Sequence, residues 1–229
     1  MKKGKLIVID GTDGSGKATQ TKLLVERLKK DGLKVATIDF PQYENNFFGD
    51  FIGHCLTEQY YNFISVHPKI ASVLYAADRF ESSKKIQDWI SKGYVVILDR
   101  YVSANQIHQG GKIKNTKKRE EFLRWLDKME YGVFKISRPT ITLFLSIPFS
   151  VSERLIKERD QKAVRNYLGN KKDVHEADVD FKKNSYKSAL WLSNNIKNFV
   201  KIDCTKNSEI LSREEIHEMV YNNIKKFIK

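Results

Sequence analysis

The stretch KLIVIDGTDGSGKATQ, Lys5–Gln20, decides the fold. Its opening residues Lys5–Ile9 read as a buried strand, because an apolar run of this length bounded by a glycine turn suits a sheet interior. Gly11, Gly16 and Lys17 then fall at the GxxxxGK spacing. Between them Gly14 and Ser15 complete a turn whose backbone N–H groups can curl around phosphate oxygens. A helix is predicted from Ala18 to Lys30, with Leu23, Leu24, Val25 and Leu28 gathered roughly on one face and Gly32 ending it. Its N-terminus adds a favourable dipole for anions, and Lys17 adds a mobile positive charge. One position departs from this pattern. Ala18 stands where such loops carry the Ser or Thr hydroxyl that touches magnesium. Thr19 points about 100° further around the helix and is no automatic substitute.

Four further strands are expected at Lys34–Phe40, Val95–Leu98, Thr140–Ile147 and Asn198–Cys204. Helical patterns occupy Ile70–Ile90, Lys118–Tyr131, Val151–Arg159, Asn184–Asn198 and Arg213–Phe227. Nearly continuous apolar strands separated by helices imply a five-stranded parallel sheet with helices on both faces. With the glycine-rich loop at its first strand, this is an α/β P-loop NTPase fold. The 229 residues form one domain, and the charged, aperiodic stretch Gly169–Phe181 belongs to a lid or solvated loop within a region of about 154–181.

The net charge of +13 suits polyanionic partners, although the lysines are scattered and nucleic acid is not the expected one. Cys55 and Cys204 are far apart and read as small apolar residues of a reduced, cytoplasmic protein. No segment approaches the length of a membrane span, so no membrane partner is expected.

Two pairs of residues outside the loop carry chemistry. Asp99 and Arg100 lie just beyond the third strand, at the sheet edge where parallel α/β folds place ligands. Asp99 could coordinate magnesium, hold a metal-bound water or orient an acceptor phosphate, and Arg100 could grip phosphoryl oxygens. Tyr75 and Arg79 are four apart on a predicted helix and share a face. Their ring and guanidinium could bracket a base.

Together these motifs resemble the thymidylate kinase family. Gly11–Gln20 matches the family's phosphate loop, Val73–Arg79 its aromatic-x-Ala-[Asp/Asn]-Arg stretch, and Asp99-Arg100-Tyr101 with Gln109-Gly110 its third-strand motif. A looser lid match runs through Asp173, Glu176, Phe181 and Tyr186. The resemblance implies transfer of a phosphoryl group from ATP to dTMP, giving dTDP and ADP, with Mg2+ as cofactor and a homodimer as the assembly. It places Asp13 near the sugar and phosphate of the acceptor, Tyr75 on the base, Arg79 at a base carbonyl, Asp99 on magnesium, and Arg100 on phosphate. Asn105 and Gln109 fall in the stretch lining base and sugar.

Three positions differ from the family pattern. Tyr43 stands where an Arg often grips the acceptor phosphate, His108 stands where a Tyr senses the missing 2'-hydroxyl, and Ala18 replaces the loop hydroxyl. Because Gly14 follows Asp13, the resemblance assigns the catalytic arginine to the lid. Arg154, Arg159 and Arg165 are the candidates, and Arg159 is the expected one. Two alternatives remain open: a kinase of another or several deoxynucleotides such as dUMP or dGMP, and a non-catalytic nucleotide- or nucleic-acid-binding P-loop protein.

Overall fold

A computed structural model describes residues 3–57, 63–160, 178–207 and 209–228, with backbone alone at 157–160. Five strands, β1 (Lys5–Gly11), β2 (Val35–Asp39), β3 (Val95–Asp99), β4 (Ile141–Ser146) and β5 (Phe199–Asp203), form one parallel sheet in the order β2-β3-β1-β4-β5. All five expected strands are present within a residue or two of their ends. Side chains alternate across β1, and that alternation divides the core. Leu6 and Val8 join Val96, Leu98 and Phe144 on one face, whereas Ile7 and Ile9 join Ile97, Leu143 and Leu145 on the other. On this second face Leu24 and Leu28 of α1 (Lys17–Lys30) pack beside the C-terminal helix Arg213–Ile228.

The strand order puts β1 in the centre, so the loop leaving it opens at the middle of the sheet's C-terminal edge. Reversal of the chain's winding on either side of β1 leaves a crevice there.

The intervening helices are α2 (Phe47–Leu56), α3 (Pro68–Glu81), α4 (Ser83–Ser91), the short α5 (Val102–Ala104), α6 (Thr116–Asp127), α7 (Phe149–Asp160) and α8 (Val179–Asn195). Arg213–Ile228 is α9. Several boundaries correct the sequence expectations. The single helix expected over Ile70–Ile90 is broken at Ser82, which ends α3 and starts α4. Its hydroxyl accepts from Asn46 Nδ2 at 3.1 Å, so the break is tied to the loop before α2. The helix expected from Asn184 starts at Val179, because Asp178 caps it by accepting from the Phe181 amide at 2.8 Å.

The helix expected over Lys118–Tyr131 starts earlier, where Asn115 accepts from Lys118 N, and widens into a π-helical turn at Lys128–Val133. A second π-helical turn, Asn105–Gln109, continues α5. Neither α2 nor the small antiparallel hairpin of β6 (Thr205–Lys206) and β7 (Glu209–Ile210) is expected from the sequence. Of the expected lid region, 154–160 belong to α7 and 179–181 to α8, while 161–177 lie outside the described residues.

Candidate active site

The phosphate loop is built on backbone that residues with a side chain rarely adopt. Gly14 and Gly16 take φ of 76° and 82°, in the left-handed region. A Cβ on Gly11 would sit 2.4 Å from Ser15 Oγ and 2.9 Å from the Leu145 carbonyl oxygen, so the close approach of β1 and β4 requires glycine there. Helix α7 packs over the loop, with Ser152 Oγ donating to the Asp13 carbonyl at 2.6 Å. Lys17 Nζ donates to the Thr12 carbonyl at 3.0 Å and lies 3.8 Å from Asp13 Oδ1. Burial, reinforced by Arg100, lowers the pKa of this amine, and Asp13, Asp99 and Asp10 oppose the shift.

The crevice holds a cavity of about 710 Å3. One end is lined by Asp13–Thr19, including Gly14, Ser15, Gly16, Lys17 and Ala18, together with Asp99 and Arg100. Tyr43, Tyr75, Arg79, Asn105, His108 and Gln109 line it as well. The sequence-nominated residues of the described chain thus face one space, apart from Gly11, which supports the loop from behind, and Arg154. The Arg159 side chain and Arg165 lie outside the described residues. Arg154 is exposed on α7 and pairs with Glu209 of β7 at 3.8 Å, away from the cavity lining.

Arg100 has φ of 63°, a left-handed conformation costly for a residue with a side chain. That backbone turns its guanidinium back over the sheet edge, where Nη2 donates to Asp13 Oδ1 and Nη1 meets His108 Nε2 at 3.0 Å. A guanidinium only donates, so Nε2 accepts, and Nδ1 carries the proton toward Ser185 Oγ at 3.1 Å. The His108 ring also stacks on Phe181, with centroids 5.8 Å apart and an interplanar angle of 14°. Burial works against the charge on Arg100, yet Asp13, Asp10 and Asp99 outweigh it and keep it firmly protonated.

Asp99 shows the opposite balance. Burial raises its carboxyl pKa, Lys17 and Arg100 pull it back, and Asp10 and Asp39 push it up further. Asp10 is itself fully buried, accepting from Gly11 N at 2.8 Å and from Ser103 Oγ at 2.5 Å. Among the described residues no group of three His, Cys, Asp or Glu side chains could hold a metal ion unaided. One carboxylate beside a phosphate cradle is nevertheless the donor set that suits Mg2+, which keeps several waters and binds substrate phosphates.

Arg79 is only 2% exposed. Its Nε donates to Glu130 Oε2 at 3.0 Å, Nη2 donates to Glu130 Oε1, and Nη1 donates to the Tyr101 carbonyl at 3.3 Å. Burial disfavours its charge, and Glu130 more than restores it. Asn105 Nδ2 donates both to the Ser72 carbonyl and to Glu130 Oε1, each at 3.2 Å. Its amide protons are therefore committed, leaving the carbonyl oxygen as what Asn105 can offer a ligand. Tyr75 is half-buried in the lining of the same cavity, tilted against Phe63 with centroids 6.0 Å apart.

Tyr43 sits on a loop fixed from below. Asp78 accepts from Gln42 N at 3.2 Å and from Asn46 Nδ2 at 2.9 Å. A Cβ on Gly49 would lie 2.1 Å from the Gln42 carbonyl oxygen. Sequence reading misses Glu130, Asp78, Ser152 and Ser185. Asp78 lies within a matched motif and is open to detection there, whereas nothing in the local sequence distinguishes Glu130 from the other acidic residues of a charged helix.

Parallel strand order, a glycine-built phosphate loop on the central strand and an Asp-Arg pair across from it define a P-loop NTPase-like protein. The chain belongs to the thymidylate kinase family, whose family model, described as "Thymidylate kinase", matches residues 9–216. At the level of the family, the chain is a nucleoside monophosphate kinase.

It is similar to the thymidylate kinase of Plasmodium falciparum (31% identical over 147 residues, 64% of this chain and 63% of that protein). The chain thus spans just under two thirds of that relative. It is 28% identical to the thymidylate kinase of Caldanaerobacter subterraneus over 229 residues, covering 99% of this chain and 98% of the relative. In three dimensions it resembles thymidylate kinase from Candida albicans, with a TM-score of 0.71, 23% identity and coverage of 98% and 92% of the two chains, a likeness of fold.

Proposed function

We propose that this protein transfers the γ-phosphoryl group of ATP to dTMP, giving dTDP and ADP. One observation carries the reading: a single cavity joins a phosphate-loop end, where Lys17 and Arg100 stand beside Asp13 and Asp99, to an end where Glu130 cancels the charge of Arg79. Lys17 and Arg100 at the first end suit phosphates. Tyr75 and the Glu130-paired Arg79 at the second suit an uncharged base, with the ring stacking and Arg79 donating to a base carbonyl. After Glu130 and Tyr101 take three of its five N–H groups, one remains on each terminal nitrogen, and these favour a carbonyl over an amino group.

In this mechanism an acceptor phosphate oxygen attacks the γ-phosphorus in line, and catalysis is chiefly alignment and charge neutralisation. The phosphate loop and Lys17 hold the donor phosphates. Arg100 exchanges Asp13 for the acceptor phosphate, and the freed Asp13 carboxylate turns to the acceptor sugar. Asp99 would hold Mg2+ or its water shell, where the ion supplies neutralisation of phosphoryl oxygens. Ala18 offers that ion no hydroxyl. A lid arginine, with Arg159 the expected one, completes the neutralisation and the exclusion of water.

The reading includes a homodimer, supported by Ile70, Val73 and Phe80, which stand exposed on α3. It also includes a cytoplasmic location. No helix among the described residues is long and apolar enough to cross a membrane.

Initial rates with ATP, Mg2+ and a panel of dTMP, dUMP, dCMP and dGMP test the proposal. The expected result is a kcat/KM highest for dTMP. A value for dTMP no better than for dGMP overturns the choice of acceptor, and no turnover above ATP hydrolysis with any acceptor overturns the kinase.

A further inference from the structure

We infer that Glu130 is a positioning residue for acceptor recognition, acting through Arg79 from a π-helical turn that lies outside every motif of the site. The inference rests on the proposed role of Arg79 at the acceptor base. Glu130 is completely buried, an environment that a carboxylate occupies only when paired and hydrogen-bonded. Both of its oxygens are engaged: Oε2 by Arg79 Nε, and Oε1 by Arg79 Nη2 and Asn105 Nδ2. The side-on fork fixes the guanidinium plane, because the two parallel N–H···O bonds from Nε and Nη2 leave no rotation about the Cδ–Nε bond that keeps both. The Tyr101 carbonyl, following the Asp99-Arg100 pair in sequence, fixes the third nitrogen.

The π-helical turn explains how the carboxylate arrives there. Continuing α6 at 100° per residue would carry the chain past this point with ordinary spacing. The wider turn over Lys128–Val133 shifts the face that its residues present, and Glu130 reaches the core between α3 and the Asn105–Gln109 turn. Such turns interrupt helical hydrogen bonding, and they persist where a specific contact compensates.

The pair also sets the charge of the cavity. With Glu130 in place the base end carries a guanidinium whose charge is cancelled within the fold. Without it, that end would attract phosphate as Lys17 and Arg100 do. Glu130 therefore contributes to ligand orientation as well as to guanidinium geometry.

Three variants test this: Glu130→Gln, Glu130→Asp, and the double variant Arg79→Met/Glu130→Gln, which removes the buried charges altogether. In steady-state assays with ATP and Mg2+, Glu130→Gln should raise KM for dTMP by about tenfold or more, the scale of a lost charged hydrogen bond. Glu130→Asp should raise it at least about threefold, since the shorter side chain reaches only part of the fork. In both, kcat and KM for ATP should stay within about threefold, because the donor phosphates are held elsewhere.

If the double variant keeps the wild-type KM for dTMP, the proposed role of Arg79 fails. If the double variant raises KM but folded Glu130→Gln and Glu130→Asp do not, Arg79 reads the acceptor without Glu130 and this inference is overturned. A lowered melting temperature with unchanged KM overturns it equally, since that result assigns Glu130 to stability alone. Should Glu130→Gln fail to fold, Glu130→Asp, which keeps the charge, decides between the two outcomes.

Discussion

Arg79 and Arg100 line the same cavity and are held in opposite ways. Arg79 is 2% exposed and bound by a buried carboxylate and a backbone carbonyl. Arg100 is 20% exposed, and its partners are a half-buried Asp13 and a neutral imidazole. A guanidinium of the first kind is part of the core and can offer a ligand only its leftover N–H groups. One of the second kind can exchange a partner for an incoming anion at little cost, because its partner carboxylate regains water.

The strongest way to break this contrast is to remove Arg79 alone. Arg79→Met leaves the Glu130 carboxylate buried without its counter-charge, which should cost about 3–5 kcal/mol of folding stability. Urea unfolding followed by circular dichroism measures it. A loss under about 1 kcal/mol would mean that Arg79 is no more locked than a surface arginine.

Arg100→Ala should show the reverse pattern. Losing the charge that the proposed mechanism places on phosphoryl oxygens should lower kcat/KM for dTMP by about 10²- to 10³-fold, the scale of a single electrostatic contact made in a transition state. Stability should change by no more than about 1 kcal/mol, since the pair with Asp13 is partly solvated. Equal losses of stability in the two variants would dissolve the distinction between them.

The two arginines also mark what the sequence discloses. Arg100 is legible because it follows an apolar strand, and the sheet edge beyond a parallel strand is where ligands bind. Its partner Asp13 lies in the glycine loop and is legible with it. Arg79 is legible as a helical neighbour of Tyr75, but its burial is not, because Glu130 lies 51 positions away in sequence. The π-helical turn that delivers Glu130 has no periodicity to detect.

Boundaries follow the same rule. All five strands are read from local runs of apolar residues. The break at Ser82 depends on Asn46, across the fold, and a continuous helical pattern conceals it. The cap at Asp178 is a local signal, but a charged, aperiodic neighbourhood masks it. Long-range pairing, as between Arg79 and Glu130 and between Asn46 and Ser82, is what the sequence withholds.

Between the two arginines stands Asp99, whose predicted response is smaller and of opposite sign in stability and function. Burial raises its carboxyl pKa above the ordinary 3.8, with Lys17 and Arg100 only partly offsetting that shift. The folded chain therefore holds this proton to higher pH than the unfolded chain. Stability from this group is greatest at low pH and declines as pH rises from the ordinary value through the folded one, above which the loss is complete. Asp99→Asn carries no proton to lose, so at neutral pH the ligand-free variant should be more stable than the wild type and melt at a higher temperature. Its advantage should vanish below the ordinary carboxylate range. Turnover should fall at the same time, because a neutral amide cannot hold Mg2+ or its waters as a carboxylate does. Thermal melts of both proteins across acid and neutral pH, without nucleotide, check the sign. A variant less stable than wild type at neutral pH would show that Lys17 and Arg100 outweigh burial at Asp99. That carboxylate would then belong with the locked pair at the base end and not with the exchangeable contacts at the phosphate end.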